Sequence, residues 1–322
     1  MYSNPLVSIV VMTYNSSKYV IETLDSAYNQ TYPNIELIVT DDCSSDDTAK
    51  LVDIWMENHR DRFVSCQLIQ SSVNTGIPAN LNRGIRSCKG EWVKSIAGDD
   101  ILLPKCVEHL IIFTKENTNA EIVIGLIKPF YILSGKKIYK KILPRKLKRY
   151  IFSKDSFFQY QYLLERSINF APGAFIRCGL FERVGYYDEN YKMIEDLPFW
   201  LKATKKGVRI EILKKPCVQY RTEHESAVFS QKYIFNKRFY DCFYNFHRKV
   251  IWKEVPWWRF SYYETIFVDM FLYYIGINLF HNKRTRLYDF ISGMLKYLRC
   301  ALYYDNIIDL YYSKKNKHDT KC

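Results

Sequence analysis

The sequence predicts an α/β fold, a doubly wound and mostly parallel sheet with a helical C-terminal appendage. Three observations carry this. Leu6 to Met12 and Ile35 to Thr40 are near-continuous apolar, β-branched runs, as expected of strands covered on both faces. Amphipathic helical patterns follow them, so strand and helix alternate through residue 127, the signature of right-handed β-α-β crossovers. The runs end in polar or acidic residues, and ligands of such sheets bind outside the carboxyl ends of the strands.

Taken in order, Thr13, Tyr14 and Asn15 break the first strand. Ser16 or Ser17 can cap a helix with Val20, Leu24, Ala27 and Tyr28 on one face, closed before Pro33. The second strand ends in Asp41 and Asp42, and a helix with Leu51, Val52, Trp55 and Met56 inward follows. Phe63 to Gln70 supplies a third strand, Asn74-Thr75-Gly76 a loop, and Ala79 to Cys88 a helix holding Asn82 and Gly84. Trp92 to Ile96 is a strand stopped by Ala97 and Gly98. Asp99 and Asp100 come next, before Pro104 opens a helix with Val107, Leu110 and Ile111 inward. Gly98 lets the backbone turn so that both carboxylates face one crevice, where they repel each other unless a cation sits beside them. A hard divalent ion, Mg²⁺ or Mn²⁺, suits such ligands; a solvated acidic helix start is the alternative.

Glu121 to Ile127 is a further strand. Lys128 to Tyr150 then carries nine Lys or Arg and no acid, as either a solvated basic loop or a lip touching phosphates or anionic lipid. Asp155 to Arg166 reads as a helix and Ala171 to Arg177 as a strand re-entering the sheet. Glu195 and Asp196 stand before a helix running through Leu201 and Ala203, as caps or as site acids. Val208 to Leu213 and Val218 to Thr222 read as two more strands, with His224 in the polar loop beyond.

Composition bounds the rest. The 322 residues are 48% hydrophobic and 25% charged, which excludes a disordered chain. Formal net charge is +13, implying an anionic partner without choosing among nucleic acid, membrane and phosphorylated substrate. Nine scattered cysteines with no zinc spacing point to a reducing compartment. With neither a signal-peptide pattern nor a membrane span, the expected location is cytoplasmic, peripheral on the inner face of the cell membrane. GxGxxG and the P-loop motif are both absent, so a nucleotide must be held by carboxylates and metal.

VSIVVMTYN, IELIVTDDCSSDDT, NTG with LNRGI, GEWVKSIAGDD, FERVGYYDE and MIEDLPFW resemble, in order and spacing, the inverting glycosyltransferases of family 2, over about Val7 to Ser226. The resemblance implies the GT-A variant of a Rossmann-like fold, a nucleotide-sugar donor (a uridine diphosphate sugar), a divalent cation (Mn²⁺ or Mg²⁺) and transfer to an acceptor hydroxyl. It further implies that Thr13, Tyr14, Asn15, Asn74 and Gly98 line the donor site. Tyr14 would lie against the base, Asp42 accept from a uracil N–H with Asp41 in support, Asp99 contact the ribose and Asp100 hold the metal. Asp99 and His224 would be further metal contacts. Glu195 and Asp196 match the family's catalytic pair, with Asp196 as general base, and Trp200 would touch the acceptor. Two positions depart from the pattern: Ala97 replaces an Asp common in the family, and Leu81 stands where many members carry Arg. QxxRW is absent, so one transfer per encounter is expected.

The implied organisation is a glycosyltransferase domain over 1–226, with a nucleotide-sugar half (1–127), the basic segment (128–150) and an acceptor half (151–226). Residues 227–322 form an aromatic, basic, helical region. Their aromatic runs, including Trp257-Trp258-Arg259-Phe260 and a helical stripe of Phe267, Phe271, Tyr274 and Leu279, suit an anionic membrane surface presenting a lipid-linked or other carbohydrate acceptor. A helical cover for the core or a homodimer seam is the alternative. A basic membrane- or nucleic-acid-binding module would leave the acids at three strand ends unexplained, so no nucleic-acid partner is expected; a nucleotidyltransferase is the other rival.

Overall fold

The computed structural model describes residues 4–166, 168, 170–222 and 233–298. The chain divides into two compact units, Met1–Glu223 and His224–Cys322.

The first unit begins with β1 (Val7–Thr13), α1 (Val20–Tyr28), β2 (Ile35–Asp41), α2 (Thr48–His59), β3 (Cys66–Gln70), α3 (Ile77–Arg86) and β4 (Trp92–Ala97). It continues through β5 (Ile101–Leu102), α4 (Cys106–Glu116), β6 (Ile122–Leu133), β7 (Lys136–Tyr139), α5 (Lys146–Ile151) and α6 (Ser156–Glu165). After these come β8 (Ala174–Arg177), α7 (Cys178–Val184), α8 (Asp196–Lys205) and β9 (Ile210–Arg221). The sheet runs β3-β2-β1-β4-β8-β6-β9-β5, with β7 paired to β6. β1 pairs in parallel with β2 and β4, and β2 with β3; β8 enters antiparallel between β4 and β6. Every residue of β2 is buried, Glu36 included, whose carboxylate accepts from Ser8 Oγ and Lys89 N, each at 2.6 Å. Trp92 of β4 stacks on Phe175 of β8 at 4.9 Å, filling the layer where the sheet changes direction.

Two expectations are corrected. Val208 to Leu213 and Val218 to Thr222 are one strand, β9, paired in parallel with β6, with register shifts around Leu126 that accommodate the intervening polar residues. The basic stretch is a loop only in part. β6 extends to Leu133, β7 returns beside it, and Lys128, Lys137 and Lys140 lie over Tyr139, Phe130 and Tyr131 at 4.8, 5.0 and 5.4 Å. Three of the nine basic residues thus lie over aromatic rings, while residues 136–141 stay exposed.

The second unit contains α9 (Lys237–Phe246), a π-helical turn (His247–Ile251), α10 (Trp252–Glu254), α11 (Phe260–Asn278) and α12 (Arg286–Tyr297). Tyr262, Ile266 and Leu272 form the buried side of α11. The stripe of Phe267, Phe271 and Tyr274 faces outward, at 71%, 46% and 66% exposure. No described helix is long and apolar enough to cross a membrane.

Candidate active site

Three strand ends meet at one edge of the sheet, with β1 between β2 and β4. Register sets Thr13 beside Asp41 and Met12 beside Ala97. The Gly98 N–H donates to the Met12 carbonyl at 2.8 Å, and a Cβ on Gly98 would stand 2.8 Å from Thr13 Cγ2. Glycine is thus what lets the turn bearing Asp99 and Asp100 close onto β1.

Asp41 and Asp42 are both buried and both held by protein donors. Asp41 accepts from Thr13 Oγ1 (2.7 Å), Ser44 N (2.8 Å) and Ser44 Oγ (2.6 Å). Asp42 accepts from Thr75 N (3.0 Å), Thr75 Oγ1 (2.6 Å) and Gly76 N (2.7 Å), with Arg83 at 3.4 Å. Its first role is to fix loop 74–76 beneath α3. A base N–H would have to share a carboxylate that protein donors already surround.

The two acids after β4 differ in environment. Asp100 is 1% exposed, its Oδ1 accepts from Arg221 N at 2.8 Å, and its pKa is pushed well above the carboxylate range by burial and by Asp99. Asp99 remains half-buried. Arg221 ends β9 here: Nε donates to the Asp99 carbonyl at 2.9 Å, its terminal nitrogen pairs with Glu22, and the guanidinium lies 4.1 Å from the Tyr19 ring. Asp100, expected as the metal ligand, braces the end of β9 through one carboxylate oxygen, and Asp99 beside it is half-buried. Asp100→Ala should orphan the Arg221 N–H and cost about 1–3 kcal/mol, about 2–4 °C of melting temperature per kcal/mol, whereas Asp100→Asn keeps an acceptor and should melt close to wild type. Equal melting of wild type and Asp100→Ala would show that the carboxylate braces nothing.

Glu195 and Asp196 start α8, and the Glu195 side chain makes no capping hydrogen bond. Asp196 Oδ1 accepts from Leu197 N at 2.6 Å. Burial, with Asp196 adding repulsion, raises the Glu195 pKa to about 8; burial raises Asp196 to about 6, and nearby N–H groups, the Trp200 indole among them, restrain the rise. Both acids therefore hold their protons to higher pH than free carboxylates do. Buried Tyr187 lies close enough for both acids to raise its own pKa. Asn82 ties this wall to α3, donating to the Tyr187 carbonyl (2.9 Å) and accepting from Tyr187 N (3.0 Å). Ile77 N donates to the Lys192 carbonyl at 3.1 Å, so the segment leading to the acid pair rests on the loop that Asp42 holds.

Of the other expected site residues, Tyr14 is 52% exposed, with a ring free to meet a flat ligand. Asn15, at φ 49°, accepts from Ser45 N at 2.8 Å, and Asn74 is exposed. Trp200 is 1% exposed and packed edge-on against Phe199, so its ring does not stack on an acceptor from this position. That expectation is corrected. Trp200 Nε1 makes no hydrogen bond within ordinary geometric limits. His224 lies outside the described residues.

The sequence profile of the family named Glycosyl transferase family 2 matches residues 8–185, more than half of the chain. The chain belongs to glycosyl transferase family 2. An uncharacterized glycosyltransferase of Rickettsia prowazekii is 31% identical over 199 residues, covering 62% of this chain and 58% of that protein. The poly(ribitol-phosphate) β-N-acetylglucosaminyltransferase TarS of Staphylococcus aureus is 27% identical over 239 residues, 73% of this chain and 38% of TarS. The match thus spans little more than half of the Rickettsia relative and less of TarS. Among solved structures, S. aureus TarS 1–349 in complex with UDP-GlcNAc superposes with a TM-score of 0.55 at 24% identity, covering 74% of this chain and 64% of that one. A mannosyltransferase from Pyrobaculum calidifontis in complex with GDP-Man and Mn²⁺ gives 0.51 at 20% identity, over 70% and 59%. These structures share the fold, a mostly parallel sheet flanked by helices.

Within this family-2 domain, sequence reasoning passed over Arg83, Tyr187 and Arg221. Arg83 is the most informative. Leu81, where relatives place an Arg, is buried at 2% exposure, and Arg83, two residues on, sends its guanidinium back to Asp42, Thr75 Oγ1 (2.9 Å) and Asn80 Oδ1 (2.9 Å). Helical spacing was the available signal: 80 and 83 are neighbours on one helix face, and 81 is not. Fully buried Lys94, also missed, donates to the carbonyls of Ser95 (2.7 Å) and Pro172 (2.8 Å), which offset the cost of its burial.

Proposed function

We propose that this chain is a metal-dependent, inverting glycosyltransferase that moves a sugar from a nucleotide sugar, with uridine diphosphate as the expected carrier, to an acceptor hydroxyl in surface polysaccharide or glycolipid assembly. The observation that carries the reading is the acid pair beginning α8. Its members are adjacent carboxylates whose pKa values burial pushes upward, and Asn82 and the Lys192 carbonyl tie their wall to α3. A structural cap gains nothing from a raised pKa; a general base working near neutrality does.

In this mechanism Tyr14 packs against the base, and loop 74–76, held by Asp42 and Arg83, shapes the nucleoside pocket. Asp196 accepts the proton of the acceptor hydroxyl as its oxygen attacks the anomeric carbon. The bond from that carbon to the donor phosphate breaks on the opposite face, and the nucleoside diphosphate leaves with the electron pair.

Among the described residues no three His, Cys, Asp or Glu are grouped to hold a metal ion. A Mg²⁺ or Mn²⁺ would be bound through one or two carboxylates plus donor phosphates. Asp99 is the accessible carboxylate for this, and the ion would supply Lewis-acid stabilisation of the diphosphate. The uridine carrier is supported by TarS with UDP-GlcNAc, while the GDP-Man complex shows that the fold accepts guanosine as well.

The test is thermal stabilisation of the whole chain by a panel of nucleotide sugars, with and without Mn²⁺. A ligand at 100 times its Kd adds about 2.7 kcal/mol, a rise of about 5–10 °C. One uridine diphosphate sugar should stand out and need the cation. No stabilisation by any member, with pyrophosphate released from a nucleoside triphosphate instead, would make the chain a nucleotidyltransferase.

A further inference from the structure

We propose that the C-terminal unit carries a face that docks on an anionic lipid bilayer, with an apolar groove that takes a lipid hydrocarbon chain. On α11, Phe260, Phe267, Phe271 and Tyr274 recur at intervals of seven, four and three, so they share one helix face, exposed by 46–71%. Trp257 (73%) and Trp258 (60%) project just before that helix. A second stripe, Leu287, Phe290, Met294 and Tyr297 on α12, is exposed by 47–71%. Soluble surfaces seldom leave this much contiguous aromatic area to water.

The groove lies beside the first stripe. Its volume is about 640 Å³, and it is lined by Trp252 and by α11 side chains from Tyr263 to Phe271, with Glu264 the one charged member. Nothing in its wall offers the array of polar groups that a sugar or nucleotide requires.

Charge selects the occupant. Residues 233–298 hold ten Lys or Arg against five Asp or Glu. Exposed Arg248, Lys249 and Lys253 precede the paired tryptophans, and exposed Lys283, Arg284 and Arg286 follow α11. An apolar stripe bracketed at both ends by basic residues, with Trp and Tyr at its margins, is the arrangement of a helix lying in the headgroup plane of an anionic leaflet. A partner protein would have to match the aromatic surface in shape, whereas fluid lipid conforms to it.

Lipid binding is measured without donor, so its outcome is independent of the transferase reading. Full-length protein is floated with vesicles of phosphatidylcholine, with and without phosphatidylglycerol, beside the variant Trp257→Ser/Trp258→Ser/Phe267→Ser. The substituted side chains are exposed, so the variant should keep its melting temperature and its stabilisation by nucleotide sugars. Wild type should float with the anionic vesicles only, and recovery should fall about tenfold in the variant and at high salt. Brominated acyl chains should quench wild-type tryptophan fluorescence. Absence of flotation with anionic vesicles, flotation unaffected by the variant, or no quenching would overturn the proposal. A vesicle-free dimer that the variant dissociates, without flotation, would assign the face to a second copy of the chain.

Discussion

Asp196→Asn is expected to lower sugar transfer by about 10² to 10⁴ while leaving donor binding unchanged, the loss typical of removing a general base. Asn keeps an oxygen to accept from Leu197 N, so a purely structural Asp196 would make the change nearly silent. The pH profile adds a second reading. Burial raises Asp196 to about 6, so activity should climb as pH rises through about 6, where the proton leaves. Stability should move the other way. Both folded-state pKa values lie above the ordinary carboxylate range, so the stabilisation of the protonated forms is complete below about pH 4 and is lost as pH rises through 6 and then 8. Glu195→Gln and Asp196→Asn should therefore melt about 2–4 °C above wild type at pH 8, at about 1 kcal/mol, and level with it at pH 4. Wild-type turnover by Asp196→Asn with a verified acceptor would move the base to Glu195 or Asp188.

Asp99→Asn should abolish the cation dependence of nucleotide-sugar stabilisation and lower transfer by about 10² to 10³, the equivalent of several kcal/mol of lost charge stabilisation. Asp100→Asn, by contrast, should retain Mn²⁺-dependent stabilisation, since its carboxylate is turned to the backbone of Arg221. The pair of variants is decisive because the residues are adjacent and chemically identical. Loss of Mn²⁺ dependence in Asp100→Asn with its retention in Asp99→Asn would reverse the assignment and require the strand end to open on binding.

What the sequence by itself determined is the local pattern. The β-branched runs become β1 and β2, and the apolar periodicities become the buried faces of α2 and α4. The acids fall at strand ends because the strands stop where the alternation breaks. Those features depend on neighbours a few residues apart, and hydrophobic periodicity records them directly. Tertiary structure alone decided what each polar group faces. Asp42 meets loop 74–76 and Asp100 meets Arg221 across separations of 33 and 121 residues. No local pattern marks such a pairing. The same holds for Trp200, an aromatic that could have lined a site but is sealed in the core, and for Phe267 and Phe271, whose helical spacing suits a buried stripe equally well but which face outward. Periodicity says that a helix has an apolar side; it does not say what covers that side. The raised pKa values of Glu195 and Asp196 have a similar origin, because the burial that pushes both carboxylates upward is assembled from residues distant in the chain.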